Sequence, residues 1–341
     1  GGFTQIYIGG RSKRFPTKDL LFDIFSRKDS TFAQIQAGDL ELRLNAGSGV
    51  DWWTGCWMRF LDLFKAQLEQ KRLDQNALKA LLPGMKLHMS MSSDNPVMNF
   101  LKYRGYTLNN LHLDFYTDPT TGVNGHGYIY GLNTGAILLD TVRLNMYQDT
   151  TGVQTKIYVR NATKRNPHRF EARLESYLLS DGAGLEVYFR DQDGREGVNL
   201  GVRADLIGSD GIRLQLYPRN PVLAFRRFTV NEDNYIYVNR ADTVQANIDL
   251  LADDGTAVRL YSTPQDSTID LTLSVSKLNL GELTALFPYV PSISGFMDAD
   301  VHLVKQQENM SVGVNTNVKD MAYEQTPLGN IGLDMVYLPE A

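Results

Sequence analysis

Apolar and polar residues alternate along most of the chain after residue 109, in short segments separated by turns rich in Asp, Asn and Gly. Leu111, Leu113 and Phe115, for example, alternate with polar residues. A period of two residues is typical of β-strands with one buried face. The turns include DPTTG at residues 118–122 and a near copy, DTTG, at residues 149–152. Such turns between alternating segments predict β-hairpins.

No segment between residues 111 and 276 has the length and period of a helix that could connect parallel strands. We therefore expect an antiparallel sheet. Alternation also marks three segments near the start of the chain, at Gln5–Ile8, Ala33–Gln36 and Leu40–Leu44. The pattern as a whole predicts a mainly β fold, with about sixteen strands and about three helical segments.

The clearest helix is predicted to begin at Asp51, which can act as its N-cap. Apolar residues then recur at steps of four, three, one, three and four residues, which is typical of an amphipathic helix. They are Trp53, Trp57, Phe60, Leu61, Phe64 and Leu68. One hypothesis is that this stripe packs against the sheet. The other is that the helix forms a lid on an apolar groove or faces a membrane, with Trp52, Trp53, Trp57, Phe60 and Phe64 as the candidate residues.

A helix-proline-strand motif occurs twice, at residues 73–91 and 278–303. In the second copy, Asn279 is predicted to cap the helix, Pro288 to end it and Gly295 to open the strand. Alternation then places Met297, Ala299, Val301 and Leu303 on one face of the strand, and Asp298, Asp300 and His302 on the other. Two copies of one motif indicate an internal repeat.

The motif L-[DN]-x-x-x-L-x-A-L-[LF]-P leads into an alternating strand both times, and the segment PLGNIGLDMVY follows at residues 327–337. This combination resembles the AsmA-like family, and most of all the TamB-type proteins of Gram-negative bacteria. The sharpest matches are residues 73–91, 111–161 and 278–337. The resemblance implies a long, curved antiparallel sheet that forms a trough with an apolar interior and carries a few short amphipathic helices.

The resemblance also implies a function. Proteins of this type are anchored in the inner membrane, cross the periplasm, and are associated with phospholipid transport and outer-membrane biogenesis. We therefore expect an internal segment of a longer, membrane-anchored periplasmic protein whose groove holds or conducts phospholipid acyl chains between the inner and outer membranes. The residues expected to line the groove are Leu271, Leu273, Val275, Ala299, Val301, Leu303, Val312, Val314, Ile331 and Leu333.

Composition and charge narrow the function classes. A net charge of −5, with only short basic clusters, argues against nucleic-acid binding. Cys56 is the only cysteine, so no internal disulfide can form. The five histidines are isolated in sequence, and no zinc-protease, paired-cysteine or nucleophile-elbow motif is present. We expect no enzymatic activity, no cofactor and no metal.

Two alternatives remain open in the sequence. The first is a structural scaffold for outer-membrane protein assembly, which would bind a barrel-assembly protein by strand addition at a sheet edge. The second, weaker alternative is a carbohydrate- or surface-binding β-sandwich that uses Trp52, Trp53 and Trp57. A continuous open groove would favour lipid, whereas a closed core would favour the scaffold.

The sequence pattern divides the chain into three regions. Residues 1–110 are predicted to be a β-meander with helices, as a cap or a first repeat. Residues 111–276 are predicted to be an antiparallel β-repeat region, and residues 277–341 the second helix-proline-strand repeat.

Overall fold

A computed structural model describes residues 3–8, 11–16, 18–70, 72–164, 166, 168–207, 211–239, 244–263, 268–306 and 309–338. The chain is mainly β, with 64% strand and 13% helix, and it forms antiparallel sheet with few short helices. This confirms the predicted fold class. The chain divides into two compact units, Gly1–Glu69 with Leu73–Ser180, and Gln70–Arg72 with Asp181–Ala341. The three sequence regions stay a prediction.

The described residues contain four helices, α1 (Val50–Glu69), α2 (Gln75–Ala80), α3 (Pro96–Tyr103) and α4 (Leu280–Thr284). Side chains cap three of them, as predicted for α4. The carboxylate of Asp74 accepts a hydrogen bond from the amide of Ala77 (2.9 Å), and Asn95 and Asn279 play the same part in α3 and α4. Among the described residues, none of these helices is long and apolar enough to cross a membrane.

Helix α1 differs from its prediction at both ends. The helix begins at Val50, and the amides of Trp52 and Trp53 donate to the carbonyl of Gly49 (3.1 and 3.2 Å), so Asp51 lies in the first turn and is not the N-cap. Two members of the predicted apolar stripe, Leu61 and Leu68, are exposed. The buried position near the end is Gln67, because its side-chain oxygen accepts a hydrogen bond from the amide of Asp74 (2.8 Å).

The first unit contains a two-stranded hairpin and a nine-stranded antiparallel sheet among its described residues. The hairpin is β1 (Phe3–Ile8) with β2 (Arg11–Pro16). In the sheet, each strand pairs with the next one along the chain. The strands are β3 (Leu20–Arg27), β4 (Ser30–Ala37), β5 (Leu40–Ala46), β6 (Met85–Met91), β7 (Asn110–Asp118), β8 (Gly122–Asn133), β9 (Leu138–Gln148), β10 (Gly152–Asn161) and β11 (Phe170–Leu179).

Strand β3 was missed by the sequence pattern, because Leu20, Leu21 and Phe22 are apolar in succession and give no alternation. The predicted hairpin turns are confirmed. Between β7 and β8, one carboxylate oxygen of Asp118 accepts a hydrogen bond from the amide of Thr120 (2.7 Å). Between β9 and β10, Asp149 accepts from the amide of Thr151 in the same way (2.7 Å). Both turns are therefore fixed by an aspartate that bonds to the backbone two residues on.

The apolar face of the first sheet is covered at its ends. At one end, α3 inserts Met98, which is fully buried and belongs to a cluster with Leu40, Met91 and Leu108. At the other end, the side chain of Gln75 in α2 donates to the carbonyl of Leu178 (3.3 Å) and accepts from Gln148 (3.3 Å). Apolar side chains in the middle of the strands are only half-buried, and they include Leu42, Leu44, Leu87, Leu113, Phe115, Leu144 and Ile157.

The second unit is also an antiparallel sheet. Its strands pair in chain order, except that β15 and β16 share the place between β14 and β17. The strands are β12 (Gly182–Asp191), β13 (Glu196–Ile207), β14 (Gly211–Leu223), β15 (Arg226–Val230), β16 (Tyr235–Asn239), β17 (Val244–Ala252), β18 (Ala257–Ser262), β19 (Thr268–Asn279), β20 (Ile293–Gln306), β21 (Asn309–Tyr323) and β22 (Thr326–Tyr337).

A dry core lies where β15 packs beside β17. Phe228, at 1% exposure, is the most buried large side chain of this cluster. The fully buried members are Phe228, Val230, Ile248, Leu250 and Ala252, and the half-buried residues packed on them include Leu216, Ile236, Val258 and Leu260. The core of this unit is therefore concentrated in the middle of its strand order.

Candidate functional site

The residues predicted to line a groove lie on one face of β19–β22. Cross-strand pairing places Leu273 opposite Val301, and Val301 opposite Val314. The other predicted residues fall into the same register, because residues two apart on a strand share a face. The pairs are Leu271 with Leu303, Val275 with Ala299, Leu303 with Val312, Thr316 with Leu333, and Val318 with Ile331. The structure therefore brings the ten predicted residues together on one surface.

This surface continues from the dry core at β17 to β22, and the side chains become more exposed in that direction. One row of direct cross-strand neighbours runs Ile248, Leu260, Leu273, Val301, Val314, Met335. The exposed fraction is 9% at Ile248 and 47% at Met335, and the four residues between them are half-buried. The same sheet face is therefore closed at β17 and open at β22.

The opposite face of β19 and β20 is polar, as predicted for Asp300 and His302. Thr272 lies opposite His302, and Ser274 opposite Asp300. The Nε2 atom of His302 lies 2.8 Å from a carboxylate oxygen of Asp270. The two faces thus differ sharply, with aliphatic side chains on one and hydrogen-bonding groups on the other.

The aromatic residues of α1 are divided between two sides of the helix. The rings of Trp57 and Phe60 are in edge contact (5.7 Å between centroids), and Phe60 stacks on Phe64 (6.2 Å). These three and Trp53 are half-buried, whereas Trp52 is 51% exposed. Trp52 therefore does not belong to the stripe, and its role as a lid or membrane contact stays a prediction.

A second candidate site lies on the polar face of the first unit, and the sequence pattern did not reveal it. Three histidines come from adjacent strands, His88 from β6, His112 from β7 and His126 from β8. The sheet register places His88 opposite Asp114, and Asp114 opposite His126. These three histidines are isolated in sequence, but the sheet makes them close neighbours on adjacent strands.

The three imidazoles converge on one carboxylate, that of Asp114. The Nδ1 atom of His88 lies 2.7 Å from Oδ1 of Asp114, and Nε2 of His112 lies 2.8 Å from Oδ2. The Nε2 atom of His126 lies 3.4 Å from the same Oδ2. Potential ligand atoms of His88, His112 and Asp114 all lie within 4.8 Å of one another. We call these four residues the histidine cluster.

The ionisation of Asp114 follows from these contacts. Partial burial raises the pKa of Asp114, but hydrogen bonds with His88 and His112, and the charge of these imidazoles when protonated, lower it by more in sum. The net pKa therefore lies below the usual value, and the carboxylate is ionised at neutral pH. Rings pack around it, since His112 stacks on Tyr128 (5.2 Å between centroids) and contacts His88 at the same distance.

The geometry of both candidate sites follows from this chain alone. Comparisons with protein-family models, with curated proteins and with solved structures found no match.

Proposed function

We propose that the protein binds phospholipid and holds the acyl chains along the apolar face of its β-sheet. The observation that carries this proposal is the row from Ile248 to Met335, in which aliphatic side chains continue without a polar interruption while their exposure rises from 9% to 47%. In such a row the buried end is already packed by the protein, and the exposed end is available to an acyl chain.

Burial of this face would be favourable. Apolar surface removed from water contributes roughly 25 cal/mol per Å². Leu333 is 54% exposed and Ile331 is 41% exposed, so an occupant of this face would gain contact with surface that now meets water. Large exposed apolar patches are typical of binding sites for lipids or partners.

The chemistry of the face favours an acyl chain over a peptide. A bound peptide would bring backbone N–H and C=O groups that need hydrogen-bond partners once they are buried. The side chains of Leu273, Val301 and Val314 offer none. An acyl chain has no such groups, so it can cover the face without burying a polar group that lacks a hydrogen-bond partner.

The resemblance to TamB-type proteins supports the wider setting of the proposal. In that setting the chain is a segment of an inner-membrane-anchored bridge in the periplasm of a Gram-negative bacterium. Acyl chains would slide along the apolar face between the inner and outer membranes, while the head groups stay in water. The lipid-binding step is the part that the purified chain can test.

The test is native mass spectrometry, with organic extraction, of tag-free protein expressed in the periplasm. We expect phospholipid at a reproducible stoichiometry. An apo mass, together with no uptake of an added fluorescent phospholipid, would contradict the proposal. If that apo protein bound a purified barrel-assembly protein, the scaffold function would replace the lipid function.

A further inference from the structure

We propose that the histidine cluster is a binding site for one Zn²⁺ ion, with His88, His112 and Asp114 as ligands that already lie within 4.8 Å of one another, and with the more exposed His126 moving in as the fourth ligand. The cluster lies on the polar face of the first unit. The inference does not rest on lipid binding, because these residues alternate with Leu111, Leu113 and Phe115, which belong to the apolar face.

The positions of the ligand atoms support the site. Zn²⁺ binds imidazole nitrogen and carboxylate oxygen at about 2.0–2.2 Å in a tetrahedral arrangement, which separates neighbouring ligand atoms by roughly 3.3–3.6 Å. The His126–Asp114 distance, 3.4 Å, already has this value. The 2.7 and 2.8 Å contacts of His88 and His112 are hydrogen bonds, so each would lengthen by less than about 1 Å on metal binding.

The type of donor selects the metal. Three imidazoles and one carboxylate suit Zn²⁺, Ni²⁺ or Cu²⁺, whereas Ca²⁺ and Mg²⁺ need a shell of oxygen ligands. A ligand must present a lone pair to the ion, and both carboxylate oxygens of Asp114 already face imidazole nitrogens, at 2.7 and 2.8 Å.

The backbone holds the donors on three paired strands. His88, Asp114 and His126 form one direct cross-strand row, and His112 is two residues from Asp114 on the same strand. Sites built on strands are more precise than sites on loops. His88 and His112 are partly buried, with side-chain exposures of 33% and 22%, while His126, at 58%, can adjust its position.

Two features determine how tightly the site should bind Zn²⁺ and how the ion reaches it. A cleft of about 490 Å³ borders the cluster and is lined by Arg43, Lys86 and Tyr116 as well as by His88, Asp114 and His126. An ion can therefore enter from solvent. Arg43 is paired with Glu41, but the cation of Lys86 opposes a divalent ion, so we expect saturable binding that is weaker than in a fully enclosed structural zinc site.

The experiment uses tag-free protein that has been dialysed against chelator and then titrated with ZnCl₂ in competition with a chromophoric chelator. We expect one equivalent of Zn²⁺ to bind and to raise the thermal unfolding midpoint. His112→Ala should weaken binding at least tenfold. Asp114→Asn, which keeps the side-chain shape, should do the same. Substitution of CoCl₂ should give the absorption spectrum of a tetrahedral site.

The matched control is His302→Ala. His302 also lies 2.8 Å from an aspartate oxygen, that of Asp270, but belongs to no cluster of three ligands among the described residues. This variant should bind Zn²⁺ like the parent chain. The inference is overturned if the parent chain shows no saturable Zn²⁺ binding, or if His112→Ala and Asp114→Asn bind as tightly as the parent.

Discussion

Leu250 and Leu333 share one face of the second sheet, yet Leu250 is 6% exposed and Leu333 is 54% exposed. The residues between them in the cross-strand row are Val258, Val275, Ala299 and Thr316. Because the side chains are similar, the difference reflects what covers the face and not what the face is made of. Leu250 is packed inside the dry core, whereas Leu333 is exposed to solvent.

The same truncation should therefore cost different amounts along this face. Leu250→Ala removes methyl groups from the dry core and should lower the free energy of unfolding by about 2–5 kcal/mol. Leu273→Ala removes them from a half-buried position and should cost clearly less. Urea denaturation of the two lipid-free variants measures the difference. Equal losses would mean that protein packs as tightly over Leu273 as over Leu250.

Chemical labelling should report the same gradient. In Leu333→Cys the new thiol should react quickly with a maleimide, and added phospholipid should slow the reaction. In Val230→Cys, at a position only 3% exposed, the reaction should be slow with or without lipid. The native Cys56 is also 3% exposed and should contribute little. Labelling of Leu333→Cys that lipid leaves unchanged would contradict acyl-chain binding at β22.

Charges on the apolar face should abolish lipid binding. Leu273→Asp combined with Val301→Asp places two carboxylates on neighbouring strands in the middle of the row. Burial of an unpaired charge beside an acyl chain costs several kcal/mol, so co-extracted phospholipid should fall at least about tenfold. Quantitative lipid extraction measures the effect, and the circular dichroism spectrum shows whether the variant is folded.

A double substitution on the other face is the matched control. Tyr261→Asp with Thr272→Asp adds the same two charges, also on directly paired strands, but on the polar face. Lipid content should stay near that of the parent chain. If a folded Leu273→Asp/Val301→Asp protein kept its lipid, these residues would merely fill a core.

Asp140 should make folding stability depend on pH in the acid range. Its carboxylate accepts hydrogen bonds from the amides of Ala162 (2.7 Å) and Thr163 (2.8 Å). Partial burial raises the pKa of Asp140. These bonds, with those from the side chains of Asn166 and Thr163, lower it by more in sum, so the net pKa lies below the usual value. A lowered folded-state pKa contributes stability above the unfolded-state pKa of about 3.9, and this stability is lost as pH falls through the folded-state value.

Asp140→Asn should therefore be less stable than the parent chain at pH 7, and the difference should shrink below about pH 4. Urea midpoints between pH 7 and pH 3 measure it. Asp334→Asn is the control, since the exposed Asp334 side chain has no hydrogen bond or ion pair among the described residues, and its removal tests the loss of charge alone. A difference between Asp140→Asn and the parent that is constant over this pH range would contradict the assignment.

The strands and turns could be predicted where local sequence decides them. Alternation at residues 269–275 and 297–303 placed each side chain on the correct face, and the aspartates of the two TTG turns marked their hairpins. Strand β3 was not predicted, because its apolar residues are consecutive and do not alternate with polar ones. The dry core could not be predicted, since it depends on β15 pairing with β17.

The histidine cluster could not be predicted either, because it also depends on how strands pair. His88, His112 and His126 acquire common neighbours only through the register of three strands, and a shift of one residue would move a histidine to the opposite face. Sequence spacing carries no such information. The sequence indicates that most of the histidines lie on the polar faces of strands, but this does not show which of them become neighbours.

The pairing of strands in chain order has a consequence for how the protein acquires its fold. Except around β15 and β16, each described strand within a unit bonds to the strand that precedes or follows it. Most of these pairs close short loops, which favours fast folding, whereas residues 47–84, with α1 and α2, separate β5 from β6. Each hairpin can therefore add to the growing sheet as soon as it is synthesised, so the sheet can lengthen or shorten in evolution by whole hairpins without rearranging the strands already in place.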